Sequence, residues 1–213
     1  MPDGNIDLLF VKSGHGKFQI QLTGLETKPK VNLPSKNSQL LSISFKPLAV
    51  EYILHRPIAD ILNGMKVLRL DFWDFDTSYF DHFDVFCAYA TEQIRSFLPI
   101  EIDHRKCKLF ELLALTKGNM PVNELANRAA WSARQINRYF KHHFGLGLKA
   151  YCNILRFSTS VQHIKNGVLS PKENYFDQAH FIKEVKKLSG VSPRELSKNQ
   201  NDRFLQLSVL PFK

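Results

Sequence analysis

Two stretches of this chain follow the same plan, and no other feature restricts the fold as much. Residues 132–145 open on Ser132, continue as a short basic helix and stop at Gly145; residues 177–190 open on Asp177, continue as another short basic helix and stop at Gly190. A Ser or Asp in the opening position suits an N-cap, whose side-chain oxygen accepts from the free N–H groups of the first turn. An apolar pair four residues apart, Ile136/Phe140 and Phe181/Val185, marks the inner face of each helix. Just upstream of the first stretch, residues 122–130 carry apolar side chains at 122, 125, 126 and 129. Two short helices joined by the tight Ala130-Trp131-Ser132 corner predict a helix-turn-helix. Between the two stretches, 148–164 contains neither Gly nor Pro, and Leu148, Tyr151, Leu155, Val161 and Ile164 can line one side of a single long helix.

Charge follows the same division. Residues 1–100 carry 10 Lys/Arg against 11 Asp/Glu, whereas residues 101–213 carry 19 against 9. A near-neutral half joined to a strongly basic half points to a polyanion-binding domain beside a domain with another task. The basic residues are interleaved with core-type apolar positions over several short helices, unlike one long amphipathic helix lying on a membrane. No segment approaches the ~20 apolar residues of a membrane span, and residues 1–20 lack the pattern of a secretory signal. Cys87, Cys107 and Cys152 are odd in number and far apart, which argues against a disulfide framework or zinc knuckle and for a reducing compartment. Their expected role is that of small buried hydrophobes.

The first half reads as β-rich, then helical. Ile6–Val11 is an apolar run, Phe18–Leu22 alternates, and Leu40–Phe45 alternates again with Leu41, Ile43 and Phe45 on one face. Gly14 and Gly16 with Lys17 suit a hairpin turn rather than a phosphate loop, because no Gly-Lys-Ser/Thr opens a helix after them. Lys28–Ser38 reads as a loop, and helices are expected after Pro47, over 57–62 and over 79–97. Phe10, Phe18, Ile20, Phe45 and Trp73 line either a small-ligand pocket or an ordinary core. The 71–84 stretch alternates acids with aromatics (Asp71, Asp74, Asp76, Asp81, His82, Asp84), as a loop does when its rings dock and its acids face water; no His/Cys pair stands at metal-ligand spacing. Pro99 and the charged stretch after it mark the expected boundary. Asp103–Thr116 follows as a helix with Leu109, Leu112, Leu113 and Leu115 apolar.

Residues 120–196 resemble the AraC/XylS-type DNA-binding domain, in which two helix-turn-helix units sit on a rigid connecting helix and enter adjacent major-groove segments. The resemblance rests on Ser-x-Arg-Gln-x-x-Arg-x-Phe at 132–140, Gly145, Tyr151, Arg156, the Tyr-Phe-Asp-Gln-Ala-His-Phe run at 175–181 and Gly-Val-Ser-Pro at 190–193. It implies base-facing positions for Arg134, Asn137 and Arg138 in the first reading helix, and for Gln178, His180 and Lys183 in the second. Arg and Asn are residue types that pair bidentately with guanine and adenine edges. Ser132, Gln135, Lys141, His142, His143, Lys149, Lys186, Lys187 and Arg194 then hold phosphates and set register. Lys141 and His142 also suit a helix C-terminus for the sake of its dipole. Residues 3–97 are similar to the N-terminal region of a Bacteroidetes-type subgroup of these regulators, through Asp7-Leu-Leu-Phe10, Ser44-Phe-Lys-Pro47 and Asp71-Phe-Trp73.

Two departures from the family pattern stand out. Only seven residues separate Gly167 from Tyr175, room for at most about two helical turns at ~3.6 residues each. The second unit is therefore expected to be shortened, and either reoriented or limited to phosphates. Met1 stands almost directly before the first strand, so the N-terminal domain is expected to be minimal or clipped.

The resulting expectation is an α+β chain. A small β-rich N-terminal domain (1–98) senses or dimerises; an all-α domain (103–198) has two helix-turn-helix units joined by a long helix; a tail (199–213) ends it. The implied function is sequence-specific transcriptional regulation in a bacterial cytoplasm, at the nucleoid, without catalytic residues, metal or cofactor. The implied partners are double-stranded DNA, a small-molecule effector or a second copy of the chain, and RNA polymerase, but not a membrane. Two alternatives stay open. One is an adaptor that uses the helix-turn-helix face for a protein. The other is a basic nucleic-acid-processing enzyme, for which Glu101, Asp103, His104 and Glu111 are the acid/base candidates.

Overall fold

The computed structural model of the protein describes residues 1–30, 37–171, 175–200 and 204. Most of the 28–38 loop, part of the 168–174 connection and nearly all of the 199–213 tail lie outside the described residues.

The fold is α+β: an antiparallel sheet followed by helices. Strands β1 (Ile6–Lys12), β2 (Phe18–Thr23), β3 (Gln39–Phe45) and β4 (Met65–Val67) stand in the order β3-β1-β2-β4. The Ser13–Gly16 turn joins β1 to β2 as a hairpin, with Leu8 opposite Leu22 and Phe10 opposite Ile20. Alternation places Leu8, Phe10 and Ile20 on the buried side, where Phe75 stacks on Phe10 at 4.1 Å between ring centroids. Helices α1 (Pro47–Ile53) and α2 (Phe83–Phe97) accompany the sheet. The 57–62 stretch forms only a 3-10 turn at 59–61, and α2 starts at Phe83 because 77–80 is a separate 3-10 turn capped by Asp76.

Trp73 and Phe75 of the acidic-aromatic loop are buried while Asp71, Asp74 and Asp76 face solvent. Arg69 pairs with Asp71 at 2.7 Å, and the Ser78 N–H donates to Asp76 at 2.7 Å, so these two acids have structural partners. Phe10, Ile20, Phe45 and Trp73 are buried core with Phe18 packed against them, the ordinary-core arrangement of those five residues.

The second half contains α3 (His104–Thr116), α4 (Val122–Arg128), α5 (Ala133–Phe144), α6 (Leu148–Lys165), α7 (Gln178–Ser189) and α8 (Pro193–Lys198). Leu109, Leu112 and Leu113 share the inner face of α3, but Leu115 is exposed, since it lies away from that i, i+3, i+4 row. The long helix α6 is buried on more than one side: Leu148, Tyr151 and Cys152 face one cluster, Ile154, Phe157, Val161 and Ile164 another. The first of these clusters also holds Ile6, Leu22, Val50, Ile58 and Ile61, so the first helix-turn-helix shares a core with the sheet half. The second contains Phe181, Val185 and Leu188 of α7 and Leu196 of α8. Among the cysteines only Cys152 is a buried hydrophobe, its thiol pushed up to about 11 by burial; Cys107 is half-buried and Cys87 exposed. Among the described residues, no helix is long and apolar enough to cross a membrane and no three His, Cys, Asp or Glu side chains converge as a metal site.

Candidate nucleic-acid interface

Helices α4 and α5 form the first helix-turn-helix, with Ala130 at the corner in the left-handed region (φ 48°). Ser132 caps α5 through a reciprocal box: its hydroxyl oxygen accepts from the Gln135 N–H at 3.2 Å, while the Gln135 side-chain oxygen accepts from the Ser132 N–H at 3.3 Å. Both residues thus have a structural task, leaving the Gln135 amide NH2 as a donor. At the other end Gly145 (φ 78°) returns its N–H to the Lys141 carbonyl. Ile136, Tyr139, Phe140 and Phe144 are buried, whereas Arg134, Asn137, Arg138, Lys141 and His142 are exposed. Arg134, Asn137, Arg138 and Lys141 are spaced i, i+3, i+4 and i+7 and so make one outward row.

Asn137 also holds the junction with the long helix. The Leu148 N–H, one of the unpaired donors at the start of α6, donates to its side-chain oxygen at 3.3 Å. His143 points inward instead: its ring lies 4.6 Å from that of Tyr139, and its carbonyl accepts from the Ile58 N–H at 2.8 Å. The same interface carries Glu51 of α1, which accepts from the Tyr139 hydroxyl at 3.1 Å and pairs with Lys106 of α3. Burial pushes the His143 imidazole below its ordinary 6.5, opposed by Glu51 and assisted by His142 and Lys106. With a lowered folded-state value the unfolded chain binds more protons just below 6.5. This contribution to stability is therefore full above that pH and lost as pH falls. A thermal-unfolding series should show stability falling on acidification below 6.5, and His143→Phe should flatten that part of the profile; an unchanged slope in the variant would refute the assignment.

Helix α7 repeats the plan. The His180 N–H donates to the Asp177 carboxylate at 2.7 Å, and Gly190 (φ 83°) closes the helix. Val168–Pro171, the described part of the short connection, contains no helix, and 172–174 lie outside the described residues. Support comes from α8, opened by a Ser192/Glu195 capping box with Pro193 in the first turn. Gln178 donates to the Leu169 carbonyl at 2.8 Å, and Nδ1 of His180 accepts from the Phe176 N–H at 3.2 Å. Lys183, Lys186, Lys187 and Arg194 are exposed, as is Lys149 on α6.

A polar network links the two units through α6. Arg156 donates to the Gly118 carbonyl at 2.9 Å and also bonds Asn153, whose amide donates at 3.1 Å to Glu184, buried on α7. The helix has 18 residues, about 27 Å long at ~1.5 Å per residue. That is comparable with the ~34 Å between successive major-groove segments on one face of B-DNA. Among the acid/base candidates, Asp103 caps α3 and is held down to about 2 by hydrogen bonds from Arg105, Glu111 pairs with Lys108 at 3.1 Å, and Glu101 and His104 are exposed.

No protein-family model matches the chain, and no curated protein matches it. Among solved structures it is similar to ToxT from Vibrio cholerae O395, with a TM-score of 0.49 and 10% identity over 94% of this chain and 91% of that one. It is also similar to unsaturated fatty acid-bound wild-type ToxT from Vibrio cholerae strain SCE256, with a TM-score of 0.46 and 12% identity over 90% of this chain and 86% of that one.

Proposed function

We propose that the chain is a sequence-specific DNA-binding transcriptional regulator. The observation that carries this reading is the pair of similarly capped basic helices, α5 and α7, each presenting an exposed row from opposite ends of one connecting helix. Arg134, Arg138 and Lys183 have no internal partner among the described residues and are the first candidates for base contact. Asn137, Gln178 and His180 have internal hydrogen bonds and read bases only with the atoms those bonds leave over. Lys141, His142, Lys149, Lys186, Lys187 and Arg194 hold phosphates, with Ser132 and Gln135 adding neutral donors at the α5 cap. The sheet half (1–98) senses a small-molecule effector or pairs with a second copy, and the 103–198 half carries the DNA interface and meets RNA polymerase. Such a protein works in the bacterial cytoplasm, at the nucleoid.

Affinity for random duplex DNA as a function of salt tests this reading. Five Lys/Arg in the phosphate set, at ~0.9 counterion per neutralised phosphate, predict a slope of log K on log salt of about −4 to −5. A shallow slope with weak binding would favour a protein-binding adaptor instead.

A further inference from the structure

The shared caps put α5 and α7 in one register, Ser132 matching Asp177 and Gly145 matching Gly190. In that register the outward row of α5, Arg134-Asn137-Arg138-Lys141, corresponds to Ala179-Ile182-Lys183-Lys186 on α7. All four of these α7 residues are exposed, Ile182 to 39%. Gln178 and His180 correspond to Ala133 and Gln135, off the row, and both are tied to backbone. Phe176, just before the cap, is 92% exposed, whereas its counterpart Trp131 packs on Tyr139 at 5.3 Å.

We propose that Ala179 and Ile182 are specificity-determining residues that recognise the C5 methyl groups of thymine in the half-site bound by α7. This rests on the DNA-binding reading above. A row in the position of the Arg/Asn row of α5 carries no hydrogen-bonding group at two of its four places, so it cannot form bidentate pairs there. Apolar side chains in the major groove instead contact the thymine methyl. Lys183 and Lys186 on the same row supply the charge that draws it to a polyanion. An exposed apolar row flanked by lysines thus matches a surface that is itself apolar only at methyl groups and anionic around them. The two half-sites then differ in kind, with purine edges read by Arg134 and Arg138 and thymine methyls read by Ala179 and Ile182.

The test uses the full chain and the DNA duplex enriched by repeated selection. Each thymine is replaced in turn by deoxyuridine, which removes the methyl and nothing else. One or two replacements within the α7 half-site should each weaken binding about fourfold, the value of burying one methyl-sized group. Ile182→Ala should lower affinity for the thymine duplex and erase the thymine–uracil difference at one position, with unchanged thermal stability because the side chain is exposed. The proposal fails, and DNA reading survives, if uracil is tolerated everywhere in that half-site while 7-deazaguanine in the α5 half-site weakens binding. It also fails if no α7 half-site is enriched. Wild-type DNA affinity in Ile182→Asp would overturn the proposal, since an added carboxylate in the major groove must weaken binding. Absence of salt-dependent DNA binding would overturn both this proposal and the reading beneath it.

Discussion

Replacing Arg138 with alanine is expected to weaken binding to the selected duplex by about 1–3 kcal/mol, roughly 5- to 150-fold, and to relax base choice at one position. The side chain is exposed on the outer row of α5, one turn from Arg134, with the apolar face of the same helix packed in the core shared with the sheet half. Among the described residues its side chain makes no hydrogen bond or ion pair, so the folded state should be little affected by removing it. An exposed guanidinium can fork across both acceptors of a guanine edge. Competition binding across a set of single-base variants distinguishes the outcomes. Loss at one position assigns Arg138 to a base, whereas equal loss on every sequence assigns it to a phosphate.

Gly118→Ala should lower stability by roughly 3 kcal/mol. Gly118 has φ +75°, where a Cβ costs about 1–2 kcal/mol. It also sits against α6 so closely that a Cβ would fall inside the contact radius of the Cys152 carbonyl oxygen and 3.0 Å from its carbon. Overpacking against backbone adds typically 1–3 kcal/mol. The displaced loop would also disturb the hydrogen bond from Arg156 to the Gly118 carbonyl. Denaturant unfolding reads this directly; a loss below 1 kcal/mol would show that the α3–α4 turn gives way at little cost. Because the network from Arg156 continues to Glu184, the variant should also lose DNA affinity beyond its loss of folded protein.

What the sequence made legible was local. Ser132, Asp177, Gly145 and Gly190 punctuate α5 and α7 through neighbouring atoms, and the apolar run of β1 and the alternation of β2, β3 and the Asp71–Asp76 loop follow the same short-range rules. Helix α8 has a local signal that the Gly-Val-Ser-Pro motif covers only in part: Ser192 and Pro193 belong to the motif, and Glu195 beyond it completes the capping box. Strand β4, three residues with every side chain exposed, has no hydrophobic pattern to betray it. The tasks of Asn137 and His143 were illegible because their partners, Leu148 and Ile58, are supplied by tertiary packing. The Glu51 link to Lys106 and Tyr139 joins residues 55 and 88 positions apart, beyond any periodicity argument. The same holds for Gln178 and His180: the resemblance implied base-facing positions for them, and their bonds to the Leu169 carbonyl and the Phe176 N–H depend on how the chain folds back before α7.

Repeated selection of bound duplex from a random pool decides whether α5 and α7 read DNA together from one connecting helix. Two enriched elements are expected, with centres about one helical turn apart, roughly 10 base pairs, and the Arg138→Ala protein should relax base choice within only one of them. Salt-insensitive retention with no enriched sequence, or a single short element that no α7 substitution alters, would contradict reading by both helices.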